Sequence, residues 1–540
     1  MSSTPRVRRS LSDIQHDYDQ GNKTELENLV RAWKGIKELP ANDPNSFFTL
    51  GGLHGEPFRD QGKTDPNWWG GYCQHGTVLF PSWHRAYLWR LEEALRSIPG
   101  CKDVTLPFWD ECSDESREKG LPSALTQEFF VLDGKRIENP LRSFVFPKAI
   151  VDEVKGTPII YSKPEGYETV RYPLSGLVGT EADRIATKLH NSRFPNHVQN
   201  VKYLNDNIST WLSGKIKIGG KWRGEVFSRF ESCLDAPTYT LFSNTTSTAA
   251  SNASAPAGTH YVSLEEPHNF MHLAVGGFDY PGQGDSSAIP GANGDMGENE
   301  TAGLDPIFFF HHCFIDYVFW TWQRRQGATD EFSIDAKDPG ASYYKPDGVQ
   351  PPAGAAGLDP NAILGLQTTL DPFVKADGKP FTTADCINIE KQLGYVYGKG
   401  SLDAYAQRTK QALFMAGAVQ PEGKTLRVSR INRGKIRGSF LISAYATVDG
   451  KREYLGTRPI LSRWHVEGCM NCQTHLEATA TFKLPLNANN TAIDESGIEV
   501  EVQTRDTVLK RPSGAGLLAS GNAAAATATP TEVPFKLETF

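Results

Sequence analysis

One segment limits what this chain can fold into more than any other. Residues 305–327, DPIFFFHHCFIDYVFWTWQRRQG, open on a proline suited to a first helical turn and stop at a glycine. In between they are apolar almost all the way round, so the helix they predict has no solvent face and must be buried. A chain of 540 residues is long enough to enclose it in a large core, with room for more than one domain. Yet the same helix carries His311, His312 and Asp316. Polar groups in so apolar a setting cost free energy unless each finds a partner.

The other histidines suggest what that partner is. SWHRAYLWRLEEALRSIPG places Trp83, Tyr87, Arg90 and Leu91 at helical spacing and ends at Pro99-Gly100, which puts His84 inside a second apolar helix. His268 and His272 stand four apart on a predicted helix and share one face. His54 lies earlier in the chain, and Cys73 stands two residues before His75. Taken singly, each is readily a separately satisfied core or surface histidine. An HxxxH pair, a buried HH pair and a C-x-H in one chain favour a shared cation, which would serve all the imidazoles together. An all-imidazole donor set suits copper, zinc, iron or nickel. A zinc protease of the HExxH type is disfavoured, because Asn269, Phe270 and Met271 fill the space where its Glu would stand.

A net charge of -7 leaves no electrostatic footprint for nucleic acid or an anionic membrane. No apolar run approaches the ~20 residues that span a bilayer. MSSTPRVRRSLSDIQ lacks the apolar stretch of a secretory signal, so the chain reads as intracellular. Eight cysteines are too sparse for a disulfide scaffold and read as individual thiols. NTTSTAASNASAPAG, residues 244–258, reads as a low-complexity loop without a core, and the sequons at Asn244 and Asn252 mean little in an unsecreted chain. From Lys424 the texture changes to short, β-branched, partly alternating runs with turn signals such as Asp449-Gly450, which predicts a small antiparallel β domain. The expected organisation is a catalytic domain over 1–400, a connector over 401–423, the β domain over 424–508 and a disordered tail over 509–540. WHVEGCMNCQTH presents His465, Cys469, Cys472 and His475. A lone CxxC is a weak signal; two flanking histidines make it a stronger metal site, with structural zinc, a redox pair or plain strand thiols as the competing readings.

With these residues in view, the chain resembles a known family. GGLH at 51–54, YCQHG at 72–76 and PSWHRAYLWRLE at 81–92 look like the first copper site of tyrosinases, catechol oxidases and molluscan haemocyanins. EEPHNFMHLAVGG at 265–277 and GLDPIFFFHHCFIDYVFW at 303–320 look like the second. The likeness covers most of residues 1–400 and is greatest to a fungal tyrosinase with its C-terminal domain attached. It implies a mainly α catalytic domain, a four-helix bundle with long loops holding a dicopper site, followed by an antiparallel β-sandwich-like domain. One copper would take His54, His75 and His84, the other His268, His272 and His312. His311 would support the ligands without binding, and Cys73 would carry a thioether to His75.

Further roles follow from the resemblance. Phe308 corresponds to an aromatic packed over the two metals, and Asp316 to a carboxylate that orients a ligand or a nearby arginine. The family commonly shows HHxNVDR where this chain has HHCFIDY, which leaves the partner of Asp316 open. The chemistry implied is oxidation of small phenols by dioxygen, with the protein supplying geometry and dryness. In relatives that hydroxylate monophenols, a Glu and an Asn hold a water that can take the phenolic proton. Glu265 and Asn269 are the matching residues here, with Glu266 competing for the first role. The position that gates the second copper falls near Asn299, where a polar residue leaves the entrance open. Tyr395 and Tyr397 resemble the motif that closes the catalytic core against an N-terminal arginine such as Arg6 or Arg8. The β domain would cover the site until a protease or acid displaced it, with Ile460, Leu461 or Trp464 filling the substrate position. The CxxC would deliver copper to the core. A catechol oxidase confined to diphenols, and a haemocyanin-like oxygen carrier, are the alternatives; self-association into a homo-oligomer is left open.

Overall fold

The computed structural model describes residues 5–55, 71–152, 161–176, 179–213, 216–218, 221–223, 226–255, 259–280, 293–342, 362–406, 424–464, 466, 472, 475–486, 493–505, 508–512 and 535–539. The helices that matter for function are α1 (Phe47–Gly55), α2 (Phe80–Ser97), α3 (Glu181–Asn191), α4 (Thr245–Ser254), α5 (Glu265–Gly276) and α6 (Ile307–Gln326). As its composition requires, α6 is the axis of the catalytic core: sixteen of its residues, from Ile307 to Gln323, are buried. It ends at Gly327 in the left-handed region (φ 68°), and the Gly327 N–H bonds back to the last turn. Trp33, Trp83 and Phe309 pack in the apolar cluster around it. Among the described residues no helix is long and apolar enough to cross a membrane.

The first and last parts of the catalytic domain meet in a two-stranded parallel sheet, β1 (Arg6–Arg8) against β2 (Tyr395–Tyr397). Beyond it lie β3 (Thr425–Asn432), β4 (Phe440–Val448), β5 (Lys451–Ile460), β6 (Glu477–Lys483), β7 (Ile498–Gln503), β8 (Val508–Pro512) and β9 (Lys536–Thr539). They form two antiparallel sheets, one in the order β5-β4-β7-β8 and one in the order β6-β3-β9. Asp449 and Gly450 both take positive φ (48° and 73°), the geometry of the two-residue turn that their pairing predicts between β4 and β5. Between the sheets lies a second apolar core that includes Leu426, Phe440, Ile442, Val500 and Phe482. Leu441, Leu461 and Trp464 belong instead to the cluster of the catalytic core, so the β domain is docked through apolar side chains.

Three expectations need correction. Residues 245–254 are helical, not a loop: Asn244 caps α4 by accepting from the Ser247 N–H, and Asn244, Ser247, Thr248 and Asn252 are buried. The tail is not wholly unstructured, because β9 pairs with β3 from Leu426↔Thr539 to Ser429↔Lys536. Cys472 is disulfide-bonded, whereas Cys73, Cys101, Cys112, Cys233, Cys313 and Cys386 are buried and outside any disulfide. The connector from residue 407 to 423 lies outside the described residues.

Candidate metal centre

Helices α1, α2, α5 and α6 and the loop before α2 bring seven imidazoles together. His54, His84, His268, His272, His311 and His312 are buried, and His75 is partly open. The ring partners decide which nitrogen is presented. His54 Nδ1 lies 3.1 Å from the Asn299 carbonyl, His84 Nδ1 2.8 Å from that of Phe80, and His272 Nδ1 2.8 Å from that of Met296. A carbonyl can only accept, so each of these Nδ1 atoms carries the hydrogen and Nε2 keeps its lone pair. Asn269 Oδ1 does the same for His268 Nδ1 at 2.9 Å. Nε2 of His54 and of His84 have no hydrogen-bond partner among the described residues.

The second half of the site is the more compact. His312 Nε2 lies 3.2 Å from His268 Nε2 and 3.4 Å from His272 Nε2. Three imidazole nitrogens converging at this separation repel one another unless a proton or a cation stands between them, and metal–nitrogen bonds of about 2 Å would span it. In the first half, donor atoms of His54, Cys73 and His75 lie within 4.8 Å of one another. His84 joins the halves, its ring stacked on that of His312 at 4.2 Å and 5.4 Å from that of His75. Phe308 packs between them, 4.1 Å from His312 and 4.8 Å from His54. Burial holds all of these imidazoles below their usual pKa, His84 at about 3, so they are neutral donors at ordinary pH.

The loop that carries His75 is fastened to α5. Gly76 turns at φ +72°, where a side chain would be strained, and donates its N–H to Glu265 Oε1 at 2.8 Å. Glu265 Oε2 accepts from the Thr245 N–H and hydroxyl. Burial pushes the Glu265 carboxyl upward against these hydrogen bonds. Glu266 also borders the cavity described below but is paired with Arg229 and Arg458. Asn299 is buried beside the first half, its Nδ2 donating to Cys73 Sγ at 3.5 Å. It also lines the cavity described below. Gly55 permits the approach of Asn299 to the first half, since a Cβ there would collide with the Asn299 carbonyl.

Asp316 finds its partner outside α6. Arg85, next to His84 on α2, donates to Asp316 Oδ1 at 2.5 Å, and Tyr395 and Tyr397 donate to Oδ2 at 2.5 and 2.6 Å. Arg8 completes the group, stacked over Tyr395 and 3.6 Å from Asp316. Glu111 was also missed by sequence reasoning; its Oε1 lies 2.5 Å from His311 Nδ1. Sequence spacing could not reveal either contact, because the partners are separated by 231 and 200 residues.

The β domain faces this centre across a cavity of about 410 Å³. Cys73, His75, Glu265, Asn269 and Asn299 line one side; Arg433, Ile460, Leu461, Cys472 and His475 line the other. Trp464 is not in its wall but packs on Tyr161, with its backbone N–H donating to Glu300 Oε1 at 2.5 Å. Arg463 bonds the Gly55 carbonyl at the end of α1. His465 and Cys469 lie outside the described residues.

A family profile described as the common central domain of tyrosinase matches residues 44–325. A tyrosinase of Hahella sp. (strain CCB-MM4) is 49% identical over 93% of this chain and 92% of its own length. A tyrosinase of Aspergillus oryzae is 42% identical over 89% of each. The bacterial likeness therefore exceeds that to this fungal relative. The solved tyrosinase of Burkholderia thailandensis at low pH superposes with a TM-score of 0.80 at 45% identity, covering 99% of this chain and all of that one.

Proposed function

The chain belongs to the tyrosinase family, and we propose that its dicopper site, built on the six histidines, is kept closed by its own C-terminal domain. As a type 3 copper enzyme it uses dioxygen to hydroxylate monophenols at the ortho position and to oxidise o-diphenols to o-quinones. His54, His75 and His84 would hold one copper and His268, His272 and His312 the other; the convergence of Nε2 in the second trio, and the grouping of His54 and His75 with His84 stacked beside them, support the assignment. When bound, the two ions supply the two-electron reduction of dioxygen and the transfer of one oxygen atom to the ring. The chain supplies what surrounds that chemistry. Partners on Nδ1 fix the imidazole orientations, Phe308 excludes water between the halves, and a thioether from Cys73 holds His75. Glu265 and Asn269 would hold a water that takes the phenolic proton: both line the cavity, and burial raises the proton affinity of Glu265. Asn269 lines the same cavity while holding His268.

The observation that carries closure is the cavity itself, which Ile460 and Leu461 of the β domain line together with His75 and Glu265 of the core. Leu461 is the plug in this reading, because it also packs with the catalytic core. Cys469 and Cys472 as thiols, together with His465 and His475, would carry Cu(I) toward the site; a ring carbon of His475 stands 3.5 Å from a Cβ placed on Gly76. Limited proteolysis between residues 407 and 423 tests closure. Turnover of a monophenol and a diphenol by copper-loaded chain should rise after the cut, and an unchanged rate for both would reject it.

A further inference from the structure

The two halves of the centre are braced from different parts of the chain. His54 stands in the last turn of α1, a helix of 9 residues with glycines at 51, 52 and 55. So short and glycine-rich a helix is marginal on its own, and the carbonyls at its end must be satisfied from elsewhere. The Leu53 carbonyl accepts from the Tyr72 N–H at 2.8 Å, and that of His54 from the Cys73 N–H at 3.3 Å. The Gly55 carbonyl accepts from Arg463 Nη1 at 2.8 Å, so the β domain meets the last carbonyl of α1. A guanidinium placed there also faces the negative end of the helix dipole. Arg463 is 1% exposed, and its Nε lies 3.8 Å from Glu300 Oε1, which also accepts from the Trp464 backbone N–H. Glu300 follows Asn299, whose carbonyl holds the His54 ring. Arg463 therefore grips His54 from two sides, through the residue after it and through the residue after its ring partner.

The second half is braced within the catalytic domain. His272 is held by the Met296 carbonyl, and Met296 follows Asp295. Asp295 Oδ2 accepts from the Tyr167 hydroxyl at 2.6 Å and the Val170 N–H at 2.7 Å, and its Oδ1 pairs with buried Lys163 at 3.2 Å. Arg458 of the β domain does reach α5, but it shares Glu266 with Arg229, so that helix keeps a partner in the core without it. We propose that Arg463 is a positioning residue for His54: by capping α1 and pairing with Glu300 it sets the first metal pocket, which loosens selectively when the β domain leaves. The proposal rests on the dicopper reading above. It makes covering the site and shaping its first half one device, because the residue that docks the domain also holds the helix end that carries a ligand. Groups that orient a metal-binding histidine from behind commonly change metal affinity by 10–100-fold when removed.

The experiment isolates each pocket in the uncut, full-length chain. His272→Ala leaves the first pocket and His54→Ala leaves the second, and Cu(I) affinity is read by competition with a chromogenic chelator. In the His272→Ala chain, Arg463→Met should weaken binding about tenfold. In the His54→Ala chain the same substitution should leave binding as it was. Glu300→Gln keeps an acceptor for the Trp464 N–H but removes the charge that faces Arg463. It should weaken the first pocket alone as well, which covers the case of an Arg463→Met chain that does not fold. Equal losses in both pockets would mark a general loosening of the core, and no loss in either would leave Arg463 as a docking contact only; both results overturn the proposal. If neither single-pocket chain bound Cu(I) at all, the dicopper reading itself would fail, a result distinct from those two.

Discussion

At the scale of single residues, the site depends on side chains that each do one thing for a neighbour. Glu265 is the most informative, because three donors anchor it while its carboxyl stays buried beside the cavity. Glu265→Gln keeps the shape and removes the carboxylate that would make the held water a base. Monophenol hydroxylation should then fall on the order of a hundredfold, with diphenol oxidation much less affected. A parallel fall in both rates would mean that Glu265 only holds the His75 loop. Cys73 allows a test by mass. Once copper and dioxygen have acted, the peptide containing Cys73 and His75 should be lighter by two hydrogen atoms, as a new carbon–sulfur bond requires. An unchanged mass would leave Cys73 as a buried thiol.

At the scale of elements, α2 and α6 are joined to each other and to the β1–β2 pair through Asp316. Arg85→Leu should destabilise the chain by about 3 kcal/mol, since it leaves a buried carboxylate without its guanidinium. Thermal unfolding of the apo-protein measures this, and a change below about 0.5 kcal/mol would show that Tyr395, Tyr397 and Arg8 suffice. These helices were legible in the sequence because their evidence is local: apolar residues around α6, the i, i+4 pair on α5, Gly327 at a helix end. The strands of the β domain were legible for the same reason, down to the turn at Asp449 and Gly450. What was not legible depended on distant partners. Residues 244–254 look like a linker by composition, and only the cap at Asn244 and burial against the core make them helical. The terminal KLET segment has little β character of its own and becomes a strand because β3 offers it an edge. The HHCFIDY departure suggested a lost arginine, whereas Arg85 fills the place from another helix.

At the scale of the whole molecule, the proposed closure would depend on ion pairs between the β domain and the core. Asp183 on α3 pairs with Arg505 and faces Arg437. Burial raises its carboxyl, but Arg505 and the Thr180 hydrogen bonds outweigh burial and hold it below the usual value. A group with a depressed folded value stabilises the closed form above its free pKa of about 4 and stops doing so as pH falls through the depressed value. Acid exposure below about pH 4 should therefore open the chain, as judged by phenol turnover assayed afterwards at neutral pH. Asp183→Asn should flatten that dependence; an unaltered acid profile would place the sensitive group elsewhere. Opening must be separated from metal assembly, and one paired measurement does so: copper content and monophenol turnover of the same sample before and after cleavage between residues 407 and 423. A covered but complete site requires two coppers per chain in both states and a faster rate only in the second. A rate that rose only in proportion to newly bound copper, or did not rise, would contradict it.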